Sequence, residues 1–121
     1  MSSRIGVRRV YDPPGPADGT RVLVDRLWPR GITKAAAGVD SWPKALTPSN
    51  ELRRWYHAAQ DAGAYEEFRR RYEAELAAPE AAEALTALRA LAAAGPVTLL
   101  TAVKDPDHSH VTVLLAHLTP T

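Results

Sequence analysis

Two runs of consecutive apolar residues interrupt an otherwise amphipathic chain: Val22-Leu23-Val24, and Val97-Thr-Leu-Leu-Thr-Ala-Val103. Apolar character on successive residues over so short a span predicts strands buried on both faces, hence central strands, over about 21–27 and 97–103. Ahead of them, residues 4–10 place Ile5 and Val7 on one side and Val10 on the other, which predicts a first strand. Tyr11, Asp12 and then Pro13-Pro14-Gly15-Pro16 end it. The link over 12–20 is too long and proline-rich for a two-residue hairpin and is expected to be an ordered surface loop. Pro29 and Gly31 close the second strand, and Lys34-Ala-Ala-Ala before Gly38 predicts a short helical turn. Val39–Lys44 reads as a short edge strand, since Pro43 is tolerated only at an edge or an end.

Helical spacing takes over from there. Thr47-Pro48-Ser49-Asn50 marks a start, with a capping hydroxyl and proline inside the first turn, and Leu52, Trp55, Tyr56 and Ala59 follow. A second helix over about 63–77 carries Tyr65, Phe68, Tyr72 and Leu76 on one stripe. Its Arg69-Arg70-Arg71 triplet is flanked by glutamates, so it is expected to be a solvated face with pairs such as Glu67→Arg71. Pro79 opens a third helix with Leu85, Leu88, Leu91 and Ala92 as its core face, stopped by Gly95 and Pro96. After the turn Lys104-Asp105-Pro106, Asp107 is placed to cap a last helix carrying Val111, Leu114, Leu115 and Leu118. Helices alternating with strands apolar on both faces predict the α/β class. The expectation is one small domain over 1–121, with a partly parallel sheet of about three to four strands flanked by about four helices.

Composition narrows this only a little. A hydrophobic fraction of 45% and a charged fraction of 24% are ordinary for a soluble domain. Zero cysteines exclude a disulfide framework, a zinc–thiolate site and a cysteine nucleophile. No apolar run approaches the ~18 residues of a membrane span, and Met1–Gly6 has no apolar core of a secretory signal. The expected location is cytoplasmic. A net charge of +1 does not support a nucleic-acid partner. Its distribution is uneven: residues 1–34 hold seven Arg/Lys against three Asp, a balance of +4, and the remainder eight against eleven, −3.

All three predicted strands end in polar residues. The first gives Tyr11 and Asp12, the second Asp25, Arg26, Trp28 and Arg30, the third Lys104, Asp105, Asp107, His108 and His110. Ligands of open α/β sheets bind outside the carboxyl ends of the strands, so parallel strands would gather these clusters at one rim. Arg26 and Arg30 suit bidentate contact with carboxylate or phosphate oxygens, and Lys104 adds a point charge. Asp25 is placed to orient an arginine, with Tyr11 and Trp28 in support. Asp105 and His108 are the acid–base candidates if there is turnover. The scaffold alternative is that Asp25–Arg26 and Asp105–Lys104 neutralise each other, with Trp28 in the core. Asp105-x-Asp107-His108-x-His110 also suggests a metal, but no third ligand stands at a recognised spacing and none is assigned. Glycine-rich phosphate loops and a nucleophile elbow are absent, and no cofactor is indicated.

Four blocks carry a family resemblance: Arg9-Val-Tyr-Asp-Pro-Pro14; Asp18-Gly-x-Arg21-Val-Leu-Val-Asp-Arg-Leu-Trp-Pro-Arg-Gly31; Pro48-Ser-x-Glu-Leu-Arg-x-Trp55; and Val97-Thr-Leu-Leu with Lys104-Asp-Pro-x-His108. Together they span nearly the whole chain. It resembles the uncharacterised bacterial and archaeal proteins of domain of unknown function 488, the YeaO-like group. Longer relatives in that family tend to carry cysteine in and after the last strand, with a cysteine-histidine-arginine run in its loop. The corresponding positions here are Thr101, then Ser109, His110 and Val111, so thiol chemistry does not carry over. The resemblance also brings a link to transcriptional regulators, yet no helix-turn-helix with a basic recognition helix is present.

The functional expectation is an anionic small molecule, with phosphate-bearing compounds among the candidates, held at the strand rim. The alternative is a non-enzymatic module docking a protein or nucleic-acid partner through the basic N-terminal third.

Overall fold

The two doubly apolar runs lie side by side. The computed structural model describes residues 5–59, 61–105 and 109–118. Strands β1 (Ile5–Arg9), β2 (Thr20–Leu23) and β3 (Val97–Thr101) form one sheet in the order β1-β3-β2, with both pairings parallel. The register sets Ile5 and Thr20 on either side of Val97. All three carboxyl ends therefore emerge on the same rim.

Burial on both faces has a separate cause on each. Val22, Val24, Val97 and Leu99 pack into the main core with Leu52, Phe68, Tyr72, Leu85 and Leu114 from the helices. Leu23 and Leu100 face the other way, onto Val10 and Ala37, where Trp28, Ile32 and Trp42 close a smaller core. The central strand is β3, not β2. In place of a full edge strand at 39–44, Ser41 makes a single parallel bridge to Val22 along the free edge of β2. There Leu23 N–H donates to Ser41 O at 2.9 Å, and Ser41 and Asp40 N–H both donate to Arg21 O.

Between β2 and β3 the chain makes α1 (Lys34–Ala37), a 3₁₀ turn (Lys44–Leu46), α2 (Asn50–Ala58), α3 (Ala64–Leu76) and α4 (Pro79–Ala94). After β3 comes α5 (His110–Leu118). Among the described residues five helices thus accompany three strands, against about four expected. The cap of α2 is Ser49 rather than Thr47: its Oγ accepts from Leu52 N–H at 3.1 Å. Thr47 instead donates its hydroxyl to Lys44 O at 2.7 Å, and Pro48 lies outside the helix. Glu75 of α3 reaches across to this start, accepting from Ser49 N–H at 2.8 Å and Ser49 Oγ–H at 2.6 Å. On α4 the core face is Ala81, Leu85 and Leu88, whereas Leu91 is 41% exposed. Gly95 is extended and not left-handed. The helix cap expected at Asp107 falls outside the described residues.

Candidate functional site at the strand rim

Leaving β2 at its carboxyl end, the chain aims Asp25 across the top of β3. Its Oδ1 accepts from the Thr101 hydroxyl and its Oδ2 from Ala102 N–H, each at 2.8 Å. His110, the first residue of α5, sets Nε2 at 2.8 Å from Val24 O and 3.2 Å from Asp25 Oδ1. Two acceptors facing one ring nitrogen require that Nε2 carry the proton. Burial pushes the Asp25 carboxyl up, but the bonds from His110, Ala102 and Thr101 outweigh it and hold it below its usual value. Asp25 therefore closes the end of β3 and fixes His110, and does not orient an arginine.

Thr101 is fully buried, and its hydroxyl both donates to Asp25 and accepts from Val103 N–H at 3.1 Å. Ser109 is also buried, its Oγ accepting from Val111 N–H at 3.1 Å.

Two clefts open above this pair. The smaller, about 400 Å³, is lined by Asp25 through Arg30, with Pro48, Arg53, Ala102, Val103 and His110. The larger, about 600 Å³, lies between Arg53, Arg54, Tyr56, His57, Phe68, Val103, Ser109 and His110. Arg53, Val103 and His110 belong to both, so the clefts adjoin along that wall.

The predicted residues divide around them. Asp25, Arg26, Trp28 and Arg30 line the smaller cleft. Arg26 spends part of its guanidinium on the entry to α2, donating from Nε to Pro48 O at 3.1 Å and from Nη2 to Thr47 O at 3.2 Å. Trp28 donates to Ile32 O at 2.7 Å and meets Trp42 edge-on at 5.5 Å, so it anchors the loop while walling the cleft. Arg30 is exposed, and its carbonyl accepts from the Tyr11 hydroxyl at 2.9 Å. Tyr11 thus pins the loop from behind and does not line the cleft. Lys104 and Asp105 are exposed and line neither cleft. Asp107 and His108 lie outside the described residues. Among the described residues no group of three potential ligands could hold a metal ion.

Arg53 was absent from the sequence-derived set, although it borders both clefts. Its one recorded side-chain bond is a long one, 3.3 Å to Asn50 Oδ1. The signal was available: Arg53, Tyr56 and His57 stand three and four apart, on one face of α2. The basic excess of the N-terminal third, by contrast, is largely used inside the fold. Arg21 is only 3% exposed and donates to Asp18 Oδ2 at 2.6 Å and to Ala37 O. Arg8 donates to both oxygens of the same Asp18, and Arg9 to Ala102 O. Asp18 also accepts from Gly15 N–H, the largest influence on its carboxyl, which is lowered to about 2 against burial.

Among the described residues no helix is long and apolar enough to cross a membrane. No solved structure matches the chain. The uncharacterised protein YeaO of Escherichia coli (strain K12) is 44% identical over 110 residues, covering 91% of this chain and 92% of its own. An uncharacterised protein of Mycobacterium tuberculosis (strain ATCC 25618 / H37Rv) is also 44% identical, over 112 residues, covering 93% and 91%. A family model described as the inactive DUF488-N3 subclade matches residues 4–121, and the chain belongs to that family.

Proposed function

We propose that the protein binds a small anion, phosphate- or carboxylate-bearing, in the rim cleft and holds it without turnover. One observation carries the reading: Arg26, Arg30 and Arg53 line a cleft of about 400 Å³ whose only acid among the described residues, Asp25, is already met by three donors. An anion entering there meets cations without facing an unpaired carboxylate. Arg53 and Arg30 supply guanidinium donors, and Arg26 adds charge while holding the cleft wall. The absence of turnover is supported by the family's description as inactive and by Thr101, whose hydroxyl is committed to Asp25 and to Val103 N–H. A cytoplasmic ligand goes with this reading, since a chain without cysteine gains nothing from an oxidising compartment. Docking of a macromolecule through the N-terminal third has less support, because Arg8 and Arg21 are both engaged with Asp18.

Calorimetric titration with inorganic phosphate and with acetate tests the proposal. At least one should bind, and Arg53→Ala should weaken it about tenfold or more, the loss of charge-assisted hydrogen bonds of roughly 1.5–3 kcal/mol. Arg30→Ala should act in the same direction. If neither anion binds at millimolar concentration, or both variants bind as tightly as the parent, the proposal is wrong.

A further inference from the structure

The smaller cleft accounts for the charge of a ligand but leaves the larger one unexplained. Its walls combine two features. The first is an aromatic platform. Tyr56 stacks on Phe68 with ring centroids 4.5 Å apart and planes 24° apart, and Phe68 is backed by Tyr72 at 5.8 Å and Tyr65 at 6.2 Å. This ladder is rigid, because Phe68 and Tyr72 are buried in the main core. The second is a border of guanidiniums and imidazoles, namely Arg53, Arg54, His57 and His110, with no carboxylate among the described lining residues. Arg53 is the hinge of the arrangement. It faces the smaller cleft on one side, and on α2 it stands one turn from Tyr56, about 5–6 Å between Cβ atoms.

Resting on the anion-binding reading above, we infer that the ligand is an aromatic anion: its charged group sits at Arg53 and its planar ring sits against Tyr56 and Phe68. A ring fits this wall better than an alkyl chain for two reasons. Aromatic rings gain from edge-to-face or offset contact with Tyr56 and Phe68 beyond the area they bury. Guanidinium planes such as those of Arg53 and Arg54 stack on a π-face and not on a methylene chain. Burial pushes the Tyr56 phenol's pKa upward, so the ring meets the ligand in its neutral form.

Three phosphonates separate the contributions: methylphosphonate carries the charge alone, hexylphosphonate adds apolar surface, and phenylphosphonate adds a ring. Titration calorimetry on the full chain should find phenylphosphonate about tenfold tighter than methylphosphonate and tighter than hexylphosphonate. Tyr56→Leu, which removes the ring and keeps much of the volume, should erase most of that preference and leave methylphosphonate affinity within about twofold. As a readout independent of any variant, phenylphosphonate should shift the ring proton resonances of Tyr56 and Phe68, and methylphosphonate should not. Equal affinity for the phenyl and methyl compounds, a hexyl compound as tight as the phenyl one, or unmoved ring resonances would overturn the aromatic inference while leaving anion binding intact. If none of the three binds while phosphate or acetate does, the aromatic inference falls alone; if those anions fail as well, the anion reading falls with it.

Discussion

Truncating Asp25 to alanine removes the acceptor on which the carboxyl end of the central strand depends. Three donors converge on it: the Thr101 hydroxyl and Ala102 N–H at 2.8 Å each, and His110 Nε2–H at 3.2 Å. His110 keeps Val24 O at 2.8 Å, so the imidazole is not stranded. Thr101 O–H and Ala102 N–H lose their recorded acceptor. Each unpaired buried donor costs about 1–3 kcal/mol, and water entering from the adjoining cleft offsets part of that. Asp25→Ala should therefore cost roughly 2–4 kcal/mol. For a chain of this size that lowers Tm by about 6–20 °C. Asp25→Asn keeps one carbonyl acceptor and should cost about half as much.

Urea unfolding followed by circular dichroism at pH 7 measures both values. The difference between parent and Asp25→Ala should also depend on pH. The folded pKa of Asp25 lies below its ordinary value, so its stabilisation is complete above the unfolded pKa and is lost as pH falls through the folded one. The gap between parent and variant should narrow on acidification. If Asp25→Ala unfolds within about 0.5 kcal/mol of the parent at pH 7, the carboxylate does not hold the rim together, and the reasoning is refuted.

Asp18 gives a second and lower acid window. With its pKa lowered from 3.8 to about 2, the stability lost in Asp18→Asn should be constant above pH 4 and fade between pH 4 and 2, read as Tm against pH. A gap that persists unchanged at pH 2 would contradict the assignment. Two left-handed glycines should respond differently to alanine. At Gly19, φ is +63° and a new Cβ would press on the Pro96 carbonyl, which also accepts from Thr20 N–H. At Gly31, φ is +78° and nothing lies within 4 Å. Gly31→Ala should therefore cost only the backbone strain, about 1–2 kcal/mol, and Gly19→Ala clearly more in the same urea series. Equal costs would show that the Pro96 contact yields freely.

What the sequence made legible follows from how local each signal is. Val22–Val24 and Val97–Leu100 read as doubly buried strands because burial on both faces leaves its mark on every residue. Which of them is central is a matter of pairing across more than 70 residues, and no local pattern carries it. The shared rim was foreseen because parallel strands require it. The partners of its residues were not. Arg26 looks free beside Asp25, yet its acceptors are the carbonyls of Thr47 and Pro48, more than 20 residues away and made available by a cap that falls at Ser49. Arg53 was passed over because the aromatic residues Trp55 and Tyr56 drew α2 toward a packing role. Tyr56 does pack on Phe68, and Arg71 lies over Trp55 at 4.3 Å, but Tyr56 also lines the larger cleft with His57, and Arg53 borders both. Leu91 failed by one position: it is exposed, and Ala92 beside it packs against the main core.

The strand order β1-β3-β2 also constrains how the chain comes together during synthesis. The first two strands pair with β3 and not with each other, and β3 begins at Val97, after α4. A nascent chain ending before that residue holds two strands with no ladder between them, and its unsatisfied backbone groups depend on solvent or on a chaperone. The last quarter of the sequence thus does more than add a final strand. It converts a set of local helices into a cooperative unit, which makes late truncations as damaging as early ones.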